Sequence, residues 1–73
     1  MESPPSPLAQ ELLRHEAFLR RLARGLVGAE ADDLVQEVWQ RALSHPPAEL
    51  TEPRAWIARV ARGLVSNRRR GEA

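Results

Sequence analysis

Arg59, Arg62, Ser66, Arg69 and Arg70 fall within about 100° of one another if the chain around them is wound as a helix, and no acid interrupts the set. Guanidinium groups repeating along one arc suit the phosphates of a nucleic-acid backbone. A helix dipole also favours arginine near a carboxyl end, but four on one arc exceed what capping needs. A second set has the opposite character. Asp33 and Glu37 stand four residues apart on one helical face, as do Gln36 and Gln40. Like charges at that spacing are mildly unfavourable in an isolated helix, and a cationic protein partner would relieve them. Periodicity alone is satisfied by plain solvent exposure of that face.

No catalytic constellation accompanies these sets. The chain has no cysteine, so neither a disulfide nor a thiolate is available. His15 lies on an apolar arc and reads as a histidine bonded within the fold; His45, beside Pro46 and Pro47, reads as solvated. Asp32, Asp33 and Glu37 lack the partner motif of a metal cage, and no serine, histidine and acid combine as a triad. The expectation is a binding protein, not an enzyme, with no metal and no cofactor.

Positioning the two sets takes three amphipathic helices. The first is expected over residues 8–27, with Leu8, Leu12, Leu19, Leu22, Ala23 and Leu26 on one arc, Phe18 at its edge, and Gly28 as its terminator. The second, over 30–44, opens on Glu30, Asp32 and Asp33, acids that suit a helix amino terminus. It gathers Leu34, Val35, Val38, Trp39, Ala42 and Leu43 on one face, and Pro46-Pro47 ends it. The third, over 53–68, has Thr51 as its cap and Pro53 in its first turn. Its apolar stripe is Trp56, Ile57, Val60, Ala61 and Leu64, while Gly63 is out of place in a helix interior. The fold class expected is all-α, a compact three-helix bundle anchored by Trp39 and Trp56. Residues 1–7 read as a disordered leader, 8–70 as the domain, 44–52 as the main loop and 71–73 as a tail.

The net charge of +1 hides a polarity. Residues 1–52 hold nine of the ten acids, whereas residues 53–73 hold six of the eleven arginines against Glu72 alone. Two contact surfaces follow, the second facing something anionic. There is no lysine, which a GC-rich coding bias explains better than any need for planar forks. No apolar run approaches the ~18 residues of a membrane span and no signal pattern opens the chain. An intracellular protein is expected, with no membrane partner.

The string DDLVQEVWQRAL (Asp32 to Leu43), followed after a short loop by RAWIARVARGLVSNRRR (Arg54 to Arg70), resembles the second conserved region of extracytoplasmic-function sigma factors of the sigma-70 class. The first segment is similar to their acid-Asp-Leu-Val-Gln-Glu-x-aromatic helix. The second is similar to their Trp-Leu-x-x-Ile-Ala-Arg-Asn-Leu helix. FLRRLARGLVG (Phe18 to Gly28) fits the preceding helix more loosely, so the likeness covers roughly Leu8 to Arg70.

That resemblance implies a role in bacterial transcription initiation, in the cytoplasm. Asp33, Gln36, Glu37 and Gln40 would dock on the arginine-rich coiled coil of the largest catalytic subunit of core RNA polymerase. The loop 44–52 and the third helix would hold the melted non-template strand of the −10 promoter element, with a base flipped out of the stack. The residues implied are Trp56, Arg59, Arg62, Gly63, Ser66, Asn67, Arg69 and Arg70. Trp56 serves equally as a core residue. Gly63 departs from the family's asparagine, so its contact is either lost or moved to Asn67. Full-length members carry a further helical domain that reads the −35 element, and none precedes Ala73. The same residues allow a degenerate sigma-like module that binds polymerase or an anti-sigma factor without reading a promoter. A generic duplex-DNA binder is a weaker third reading.

Overall fold

The computed structural model describes residues 7–47 and 51–72. The expected leader therefore lies outside the described residues except for Pro7, as do residues 48–50 of the loop. Four α-helices are formed: α1 (Pro7–Leu13), α2 (Glu16–Val27), α3 (Ala31–Ser44) and α4 (Pro53–Glu72). A single 3-10 turn, Gly28–Glu30, joins α2 to α3.

The helix predicted over 8–27 is interrupted at Arg14–His15. There the amide of His15 donates to the carbonyl of Leu12 at 3.0 Å, an i→i−3 bond, before the carbonyl of His15 accepts from Leu19 and starts α2. Neither proline nor glycine marks the break, so hydrophobic periodicity runs straight through it. The turn buries Leu12 and leaves Leu13 half exposed. It also sets the His15 ring beside α4, where Nδ1 accepts from Nε of Arg54 at 3.5 Å. The Arg54 guanidinium in turn lies 5.1 Å from the centre of the Phe18 ring, a cation–π distance. The first turn of α4 is thus tied to the α1–α2 corner.

Gly28 ends α2 as expected. Its φ of 60° and ψ of −116° lie where glycine alone is at ease, and its amide donates to the carbonyl of Arg24. The carbonyl of Glu52 accepts from the Trp56 amide at 3.1 Å to open α4 at Pro53. That helix continues to Glu72, past the expected end at 68, so Gly71 and Glu72 belong to it and not to a tail.

Helix α2 packs on both α3 and α4, and α3 packs on α4. Leu12, Leu19, Leu34, Val38 and Ile57 are the largest side chains shut off from solvent. Burying one leucine or isoleucine contributes about 1.5–3 kcal/mol. Four of the buried residues, Ala23, Ala31, Ala42 and Ala61, are alanines, which let the helices approach closely at the expense of apolar area. Among the described residues no polar or charged residue is buried, although Nε1 of Trp39 is an enclosed donor with no acceptor.

Two details of the apolar faces differ from expectation. Leu43 is 71% exposed, because it sits about 100° around the helix from Ala42, outside the buried arc of α3. On α4 the buried seam is Ile57, Ala61 and Val65, with Trp56, Val60 and Leu64 only partly covered on one flank. The seam is therefore turned toward Val65, and one further turn along it stands Arg68.

Candidate functional site

The acids and amides of α3 and most arginines of α4 are exposed on two different helices. Asp33, Gln36 and Gln40 are exposed on α3, opposite its buried face. Asp33 has no cationic partner within ion-pair distance among the described residues. Its neighbour Asp32 is paired with Arg20 of α2 at 3.0 Å. Glu37 differs from the other three. It is half buried, and its Oε1 accepts from Nη2 of Arg68. Arg68 also reaches Oε2 of Glu30 through Nη1 at 3.7 Å. The hydrogen bond that Arg68 donates to Glu37, with the negative charges of Glu37, Glu30 and Asp33, holds the Arg68 guanidinium above its ordinary pKa, against the lowering effect of burial.

On α4, Arg59, Arg62, Ser66 and Arg69 are exposed, and the three arginines face no carboxylate among the described residues. The side chain of Arg70 lies outside what is described. Gly63 and Asn67 stand apart from this arc, toward α3. With Val60 and Leu64 of α4 and Arg41 of α3 they line an open depression of about 240 Å³. A second depression, about 360 Å³, adjoins it across Arg41 and Leu64 and is bordered by Glu37, Gln40, Ser44 and His45. Trp56 is partly buried against the core, so its indole contributes to the packing and still offers an edge to solvent.

The surface sets read from the sequence are thus brought together in part. The α3 set forms one face but with Glu37 already engaged, while the α4 set divides into an outer arginine arc and an inner groove. Arg41 and Arg68 were missed. Arg41 is exposed without an acid partner and could have been found from its place beside Gln40 on α3. Arg68 is eleven residues after Ile57, within about 20° of it on a helical wheel. It continues the buried seam instead of the outer arc.

Gly63 meets open space where a Cβ would be added, and its backbone is ordinary helix. Gly63→Ala should therefore stabilise the fold by about 0.5–1 kcal/mol, from reduced unfolded-chain entropy and better helix propensity. Urea denaturation followed by circular dichroism measures this. A loss of stability would mean that the α4 backbone at this point is not regular helix.

The family model for sigma-70 region 2 matches residues 12–73, taking in α2, α3, α4 and the groove between the last two. The chain belongs to the sigma-70 region 2 family. It is 43% identical over 61 residues to the protein described as ECF RNA polymerase sigma factor SigL from Mycobacterium tuberculosis, in each of three strains. The match covers 77% of this chain and 34% of the relative, so the chain spans about a third of the length of the curated relatives it matches. No solved structure matches it significantly. An all-helical sigma region 2 fold, the class expected from the sequence, is what the described residues display. Among them no helix is long and apolar enough to cross a membrane, and no cluster of three or more histidine or acidic side chains could hold a metal ion.

Proposed function

We propose that the chain is the promoter-melting module of an extracytoplasmic-function sigma factor, acting in transcription initiation in the bacterial cytoplasm. In this reading α3 docks on the cationic coiled coil of the largest subunit of core RNA polymerase through Asp33, Gln36, Glu37 and Gln40. The outer arc of α4, Arg59, Arg62, Ser66, Arg69 and Arg70, follows the phosphates of the melted −10 strand. Trp56, Gly63 and Asn67 face its bases. The observation that carries the reading is the segregation of unpaired charge: Asp33 exposed on one helix, and Arg59, Arg62 and Arg69 exposed on another. The work is non-enzymatic, because binding energy for unstacked bases offsets the cost of unstacking them.

The test adds the chain to core RNA polymerase with fluorescent, randomised single-stranded oligonucleotides and reads anisotropy. Retention of the oligonucleotides should depend on the chain, and selection should enrich one motif. Equal retention by core polymerase alone would remove the promoter-strand role. A second reading is favoured by Gly63, which lacks the hydrogen-bonding side chain the family usually places there. In it the chain is an interaction module for polymerase or an anti-sigma factor. Binding to core polymerase with no DNA retention would select it.

A further inference from the structure

Arg68 already engages Glu37, one of the residues read above as a docking carboxylate. It is rooted on the α4 seam beyond Val65, and its side chain is only 28% exposed. It crosses to α3 and is gripped from two directions, by Glu37 and by Glu30. Exposed Arg59, Arg62 and Arg69 on the same helix face no carboxylate among the described residues. One oxygen of a carboxylate proposed to receive a cationic protein is therefore already occupied by a cation of the chain itself. Arg68 holds Glu37 through a single nitrogen and turns the other toward Glu30, and a positive charge held in the acidic face weakens its pull on any other cation.

We propose that Arg68 is an internal stand-in for the cationic docking partner of α3, displaced when that partner binds and then free to meet phosphate. The proposal rests on the docking reading above. Displacement links the two surfaces. A partner that takes Glu37 liberates one more guanidinium for the α4 side, and a polyanion that takes Arg68 uncovers Glu37. The coupling must have the same size in both directions. Partly exposed ion pairs of this kind are worth up to about 1 kcal/mol, which corresponds to a coupling of about two- to fivefold.

The decisive experiment measures affinity for core RNA polymerase, with and without saturating randomised single-stranded oligonucleotide, for the native chain, Arg68→Gln and Arg68→Lys. The native chain should bind polymerase about two- to fivefold more tightly when the oligonucleotide is present. Arg68→Gln, which keeps a polar tip but removes the charge and the reach, should bind more tightly without oligonucleotide and lose the coupling; Arg68→Lys should keep it. Absence of coupling in the native chain overturns the proposal without recourse to any variant. So does an Arg68→Gln chain that melts normally yet binds polymerase no better than native. Asp33→Arg separates the two claims. If it leaves polymerase binding intact, the docking reading itself fails; if it weakens binding while Arg68→Gln changes nothing, only the stand-in role fails.

Discussion

Asp33→Arg is expected to weaken binding to core RNA polymerase by about ten- to a hundredfold, equivalent to roughly 1.4–2.8 kcal/mol. The size follows from replacing an attraction by a repulsion at a surface read as facing arginines, where juxtaposed like charges cost several kcal/mol. Asp33 is a cleaner choice than Glu37 because no residue described pairs with it. Reversal at Glu37 would also set two guanidinium groups against each other at Arg68 and loosen α4. Loss of a first-turn acid from α3 removes about 0.3–1 kcal/mol of dipole stabilisation, so the variant should still fold. Thermal melting by circular dichroism controls for that, and quantitative pull-down or interferometry reads the binding. Equal affinity of native and variant chains would take this face out of the mechanism.

Replacing Arg59 and Arg62 together by alanine should lower affinity for the melted promoter strand by about tenfold or more at low salt and flatten its salt dependence. Each single-strand phosphate contact contributes about 0.7 to the slope of log affinity against log salt. Two lost contacts should therefore reduce the slope by about 1.4. Both side chains are exposed and unpaired, so the fold has little stake in them. A slope that does not move would mean that these arginines make no phosphate contact in the complex.

The helical class, the helix ends at Gly28, Pro46-Pro47 and Pro53, and the sidedness of α3 were legible from periodicity and from residues with special backbone demands. The family motifs, more specific than either, named the fold directly. What periodicity could not reveal were features that leave it unbroken. The turn at Arg14–His15 is one, since Leu12 and Leu19 keep helical phase across it. Arg68 is another. A charged residue on an apolar seam looks like the end of a helix until the helix is seen to continue and acids from a neighbouring element are found within reach. Leu43 shows the opposite error: being apolar and near the arc is insufficient when the residue lies outside the side that is covered. Arg41 escaped notice because a groove formed by two helices is invisible to a wheel drawn for one.

The alanine-rich interior carries a consequence for the lifetime of the chain. Close helix contact through Ala23, Ala31, Ala42 and Ala61 leaves little apolar area to resist opening, and a domain of this size is marginally stable. A partner that recognises only the folded form shifts the equilibrium by mass action, by about 2.7 kcal/mol at a hundredfold excess over its dissociation constant. Proteases act on opened chains, so a partner that holds the folded form is expected to slow cleavage of the chain.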